Sequence, residues 1–371
     1  MSDRSNTRLI SAYLEESPAP LFLAGMFQTP PQNIHMTEKI EVDVMRDAED
    51  IAVVIEDFTA GQRENEATAY VNKGFTPPIY DEVGTITAYD AIRRLPGQNP
   101  FDNPDYASNA TQQAFRIFRK LENKIRRAIE VMASQVFQTG VLTLKDSSGN
   151  TLYTLDFGMK SSHKITPTAW AADGSTGAPL TDIDGAGTVV RQDGKKMPDT
   201  VIFGKGAFQR ALKNAAFATS LTRIVGQVGS STAIGLGLGA LQPQISKGVE
   251  GANYQGYIFI NNYRYDMWTY DGWYKDPQTG TLTPFIPDNK VIVRSSSGRM
   301  DLSFGAIPIL VPPDQRILPF LPPRISSPEA GIDLTTNAWM TADGKHLKVS
   351  AGTRPLTIPT AIDTYACITA Y

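Results

Sequence analysis

The chain has 371 residues, 41% of them hydrophobic and 20% charged, with a formal net charge of −3 and one cysteine. That length favours roughly two or three subdomains, and the near-neutral charge excludes a chain-wide nucleic-acid or membrane signature. The lone Cys367 excludes an internal disulfide and a Cys-rich zinc site, and reads as a buried, inert thiol.

In chain order, residues 1 to about 37 open on polar "MSDRSNTR" and are then punctuated by Pro18, Pro20, Pro30 and Pro31. The first apolar run, "PLFLAGM" from Pro20, has no basic stretch before it and is too short to span a bilayer, so the chain reads as cytosolic where it is made. Leu21, Phe22, Leu23, Met26 and Phe27 are too apolar for a free tail. Such an arm needs a surface, either on its own domain or on a neighbouring subunit.

From Glu38 the pattern turns to period two. Ile40, Val42 and Val44 alternate with Glu41, Asp43 and Met45, which predicts a half-buried strand. "IAVVIEDF" continues it, "TAGQRENEA" is turn-like, and "TAYVNKGF" and "IYDEVGTITAY" read as returning strands. Residues 41 to 90 are thus expected to form an extended β excursion with a charged tip at Arg63, Glu64 and Glu66. A two-stranded ribbon is marginal in water and its edges invite pairing, so it too asks for a neighbour.

"AIRRLPGQNPF" sets Arg93 and Arg94 before a Leu-Pro-Gly turn. The clearest helix then runs from Thr111 to Gln138, roughly 40 Å at 1.5 Å per residue. Phe118, Leu121, Ile125, Ile129, Met132 and Val136 form its apolar face, and Gly140 supplies a stop. The opposite face carries Arg116, Arg119, Lys120, Lys124, Arg126 and Arg127 against Glu122 and Glu130. It reads either as a solvated surface or as a face turned to a polyanion, whose phosphates clustered Lys and Arg would meet without reading sequence.

"VLTLKDSSGNTLYTLDF" predicts a hairpin. "DTVIFGKGAFQRALKNA" reads as strand, turn and helix; residues 257 to 274 and "KVIVRS" read as strands; prolines mark a connector at 308 to 328; and the tail is β again. The order is α+β rather than regular βαβ.

No constellation for catalysis rises above background. Gly235-x-Gly237-x-x-Ala240 is a degenerate dinucleotide fingerprint without a good strand before it or a helix after it. Asp182-x-Asp184-Gly185 starts like a calcium loop but lacks the later ligands, and an acid in the first turn of a helix explains it better. His35, His163 and His346 lie apart, with no partner at zinc-ligand spacing. No Gly-x-Ser-x-Gly elbow is present. No catalytic residue, cofactor or metal is assigned.

Three stretches in order carry a family resemblance: "PLFL" in the arm, "RRLPG" with "NPFDNPDY" before the long helix, and "FIPDNKVIV" late in the middle region. Together they resemble the major capsid proteins of tailed bacteriophages, of the lambda-like major head protein type. The resemblance implies a Hong Kong 97-type fold, with an N-terminal arm at 1–40 and an extended β loop at 41–92. A peripheral domain would comprise 93–180 and 326–371 with its spine helix at 111–138, and an axial domain would span 181–325, the last strands rejoining the peripheral part.

By the same resemblance the function is a structural, non-enzymatic shell of pentamers and hexamers enclosing double-stranded DNA. The shell would be assembled in the host bacterial cytoplasm and would reside in the virion, without membrane. Scaffold, portal and decoration proteins are further expected partners. Leu21, Phe22, Phe27, Arg63, Glu64, Glu66, Arg93 and Arg94 become candidate subunit contacts. Gly235, Gly237 and Gly239 become an axial loop that adapts between ring sizes. Arg116, Arg119, Lys120, Lys124 and Arg127 become a non-specific DNA face. The alternatives are a nanocompartment shell of the same fold around a cargo enzyme, a nucleotide-binding enzyme using the loop at 235–239, and a tail-tube protein that would form tubes.

Overall fold

The computed structural model describes residues 21–30, 40–45, 70–92, 106–146, 148–221, 251–305, 307, 334–341 and 345–371. A 3-10 turn (Ala24–Met26) comes first, then strands β1 (Ile40–Met45), β2 (Tyr70–Phe75) and β3 (Tyr80–Thr87). Helices α1 (Ala88–Ile92) and α2 (Tyr106–Thr139) follow, then the hairpin of β4 (Val141–Lys145) and β5 (Thr151–Asp156). A second 3-10 turn (Ser161–His163) and β6 (Lys164–Ile165) lead to α3 (Pro179–Gly194), β7 (Thr200–Phe203), α4 (Lys205–Lys213) and α5 (Ala215–Ser220). Next come β8 (Ala252–Ile260), β9 (Tyr263–Tyr270), β10 (Trp273–Lys275), β11 (Leu282–Pro284), β12 (Lys290–Arg294) and β13 (Asp301–Phe304). The chain finishes with β14 (Thr335–Met340), β15 (His346–Thr353), β16 (Pro355–Ile358), a 3-10 turn (Ile362–Thr364) and β17 (Tyr365–Thr369).

The 34 residues of α2 make it about 50 Å long. Leu121, Ile125, Ile129, Met132 and Val136, spaced three or four apart, are all buried, whereas Phe118 is only half-buried. The helix starts five residues before the periodicity predicts, because its face continues through Asn109 and Ala114, buried but not strongly apolar. It stops at Gly140, whose φ of +66° is a left-handed conformation open to glycine and whose N–H reaches the Val136 carbonyl at 2.8 Å.

Two sheets take their places around this helix. In the three-stranded sheet, of order β14-β15-β3, β15 runs antiparallel to both partners. Ile86, Ala338 and Val349 pack there against Ala114 of α2. Gly84 permits the approach, since a Cβ there would collide with the Ile117 side chain. The pairing divides the expected β excursion. Among the described residues β1 and β2 pair only with each other, while β3 joins β15, more than 250 positions away in the chain.

The six-stranded sheet has the order β6-β17-β12-β7-β9-β8 and mixes parallel with antiparallel pairs. Its inner strands are covered on both faces, which explains their unbroken apolar runs. Val201, Phe203, Val291, Val293, Ala366 and Ile368 face a core shared with α3, α4 and α5. The alternate residues Ile202, Ile292 and Cys367 face a second core shared with α2. The C-terminal strands therefore separate: β14 and β15 lie beside α2, β16 pairs with β13, and β17 enters the six-stranded sheet.

Candidate assembly surfaces

The ribbon is the first candidate surface. β1 and β2 pair antiparallel from Ile40↔Phe75 to Met45↔Tyr70, and no third strand joins them among the described residues. Ile40 at its root is 1% exposed and belongs to the core around α2, so the ribbon is anchored at one end. The expected tip residues Arg63, Glu64 and Glu66, and the "IAVVIEDF" stretch, lie outside the described residues. So do Arg93 and Arg94 and the glycines Gly235, Gly237 and Gly239.

The arm segment is the second, and of the two surfaces expected for it the structure describes the one on its own domain. Residues 21–28 find cover on their own chain. Leu23 and Phe27 are buried, and Leu21 and Phe22 are half-buried against the same core. The Phe22 ring lies 5.2 Å from that of Tyr270 and 5.6 Å from Trp268, both on β9, and Phe27 lies 5.3 Å from Phe137 on α2. Gln28 completes the docking: its N–H donates to the Met300 carbonyl and its own carbonyl accepts from the Leu302 N–H, both at 2.8 Å. The physical reason is the groove between α2 and β9, which offers aromatic surface within one subunit.

Glu130 holds the centre of this docking, although its charge assigns it to the polar face of the helix. It is fully buried. Its Oε1 accepts the Leu23 N–H at 2.7 Å and its Oε2 accepts the Ala24 N–H at 2.8 Å. Those amides stand at the start of a 3-10 turn, where no carbonyl within the turn can receive them. Burial pushes the carboxyl up to about 6, against the opposing pull of the Ala24 and Leu23 amides and the neighbouring Tyr270 hydroxyl. The missed signal was phase: Glu130 stands three residues before Ala133 and seven before Phe137, both fully buried.

On the opposite side of α2, Arg119, Lys120 and Lys124 are exposed and Arg116 and Arg127 half-exposed, so the helix does present a basic face. Lys124 is partly satisfied within the subunit by Glu82 at 3.0 Å, and Arg126 by Glu122 at 3.4 Å. Phe115, 55% exposed, lies among them.

Other residues noted in the sequence are structural. Asp182 and Asp184 lie on α3, so their segment is helix rather than a calcium loop. Asp182, in the first turn, accepts the Trp170 indole N–H at 2.6 Å. His163 is buried, with Nδ1 2.7 Å from the Tyr365 carbonyl and Nε2 3.0 Å from Asp193. Tyr365 in turn donates its hydroxyl to the Val136 carbonyl, tying the end of α2 to the six-stranded sheet. Cys367 is buried and its thiol is pushed up to about 11 by desolvation.

Comparison with known proteins adds the family. No curated protein matches this chain. Among solved structures it is similar to a protein described as a prophage capsid protein from E. coli CFT073, with 16% identity over 99% of both chains and a TM-score of 0.61, a likeness of fold. A chain of Microbacterium phage Oxtober96 (12% identity, 96% and 93% covered, TM-score 0.45) and the holo-SrpI encapsulin complex from Synechococcus elongatus PCC 7942 (10%, 98% and 94%, 0.46) are more distant. The model of the family described as phage major capsid protein E matches residues 6–370. Proteins of this kind are structural and non-enzymatic, and form the icosahedral shell of the virion. With all but the extreme ends of the sequence matched, this chain belongs to the phage major capsid protein E family.

Proposed function

We propose that copies of this chain close into five- and six-fold rings that tile a shell around double-stranded phage DNA. Rings need heterologous contacts between unlike surfaces, and a subunit touching many neighbours can rely on individually modest ones. The observation that carries the reading, beside the family, is the β1–β2 ribbon: two strands rooted at Ile40, too few to be stable alone in water. Laid over an adjacent subunit, such a ribbon gains the surface it lacks.

In this reading Arg63, Glu64 and Glu66 contact that neighbour, Arg93 and Arg94 meet its acids at the ribbon's base, and the uncovered part of Leu21 and Phe22 adds apolar contact. Gly235, Gly237 and Gly239 lie in a loop at the ring centre, where small residues adapt to either ring size. Arg116, Arg119, Lys120 and Arg127, with Lys124 partly neutralised by Glu82, present DNA with a modest, sequence-independent attraction. Scaffold, portal and decoration proteins would act on the same shell.

Negative-stain microscopy of the expressed chain tests the proposal. Closed particles tens of nanometres across, without a copurifying cargo enzyme, are expected. A small soluble oligomer, open tubes, or shells filled with one enzyme would each contradict it.

A further inference from the structure

Phe22 covers only one end of an aromatic strip. β8 and β9 pair as Tyr254↔Trp268, Tyr257↔Asp266 and Phe259↔Arg264, which sets these side chains on one face of the six-stranded sheet, the face its inner strands turn to α2. Phe22 rests on Trp268, whose ring lies 5.1 Å from that of Tyr254. Further along, the Tyr257 ring lies 5.6 Å from Phe259, with the Arg264 guanidinium over it at 4.7 Å. Tyr254 and Tyr257 are half-exposed and Phe259 is 59% exposed, on an edge strand of the sheet. A single exposed apolar side chain is ordinary, but a row of aromatics running on from a docked segment marks a surface that takes a partner.

We propose that residues 7–16 of the same chain form a helix that lies on this strip, with Leu9, Ile10, Tyr13 and Leu14 covering Tyr254, Tyr257 and Phe259, so that the docking begun at Phe22 continues along the sheet.

The sequence ahead of Leu21 supplies the matching element. In "NTRLISAYLEESPAP" the apolar Leu9, Ile10, Tyr13 and Leu14 fall on one stripe of a helix, while Arg8, Ser11 and Glu15 fall on the opposite face. Asn6 and Thr7 suit its N-terminus, and Pro18 sets its end. So short a helix is marginal alone in water, and its stripe needs a surface. The chain delivers it to this one. From Leu14 to Leu21 it can reach at most about 24 Å, whereas Trp268 and Arg264, two ladder pairs apart on β9, are separated by about 13 Å. A tether of that length holds the helix near the strip at an effective concentration on the order of millimolar, which favours the chain's own segment over a second copy. The inference rests on the docking of 21–28 and is independent of how shells are built.

Hydroxyl-radical labelling of the unassembled full-length chain, read residue by residue by mass spectrometry with Trp273 on β10 as reference, tests this. Leu9→Glu with Tyr13→Glu puts charge into the apolar stripe. Labelling of Tyr257 and Phe259 should then rise several-fold over the wild type while that of Trp273 is unchanged. Ser11→Glu, on the opposite face of the helix, should label as the wild type does. A short bis-maleimide on Tyr13→Cys with Phe259→Cys shows whose segment covers the strip, since Cys367 is buried and does not compete. The link is expected within one chain, at monomer mass. Equal labelling of Phe259 in the wild type and the doubly charged variant would overturn the proposal. A link found only between two chains would also overturn it, by making a second copy the occupant, and so would the absence of any link.

Discussion

The six-stranded sheet has unbroken apolar runs in its inner strands, the β1–β2 ribbon begins on a strand that alternates apolar with charged residues, and the two hold their places by different means. In the sheet, β7, β12 and β17 lie side by side, with every second residue facing each of two cores within one subunit. In the ribbon, two strands pair only with each other among the described residues and reach the core at Ile40. The sheet is stabilised by its own chain. The ribbon's two strands hydrogen-bond to each other with no third strand among the described residues, and in the proposed shell it is the part that joins subunits.

Substitutions in the sheet should break the subunit itself. Phe203 is fully buried, with its ring 5.3 Å from Phe208 and 6.0 Å from Phe217. Phe203→Ala should lower unfolding free energy by about 3–5 kcal/mol, read by urea denaturation of the unassembled protein. The junction of β3 with α2 should come next. Gly84→Val drives a side chain into Ile117 and should cost about 1–3 kcal/mol, by the same measurement.

A surface pair on α2 marks the small end of the scale. Lys124→Ala breaks the contact with Glu82, two side chains nearly half-exposed, and should change stability by less than about 1 kcal/mol at moderate salt. The sheet's closure also has a chemical readout. Cys367, 2% exposed with its thiol raised to about 11, should resist iodoacetamide at pH 8 in the folded protein and react once urea unfolds it. Rapid labelling of the native protein would show that β17 is not held as described.

What was legible in the sequence was what is local. The β4–β5 hairpin was readable because its turn carries its own instructions: Asp146 Oδ1 accepts the Ser148 and Asn150 amides, both at 2.8 Å. The apolar stripe of α2 was readable from spacing, but its first turns were not, because Asn109 and Ala114 give no hydropathy signal while lying buried. Partners distant in the chain were hidden. Nothing in "IYDEVGTITAY" says that it pairs with residues 346–353 rather than closing the ribbon. Of the candidate assembly residues, the arm was recognised as needing cover, though alternation and proline content cannot say whose surface provides it. Glu130 was overlooked because a carboxylate is ordinarily read as a mark of the solvated face, and only the fold brings two orphan amides to it.

The central claim is that the ribbon joins subunits and does not fold them. Sedimentation velocity of the wild type beside a variant in which residues 46–69, between β1 and β2, are replaced by Asn-Gly tests it most directly. The account predicts that the wild type sediments as closed shells and the shortened chain as a folded subunit or small ring. Shells from the shortened chain in wild-type yield would contradict it.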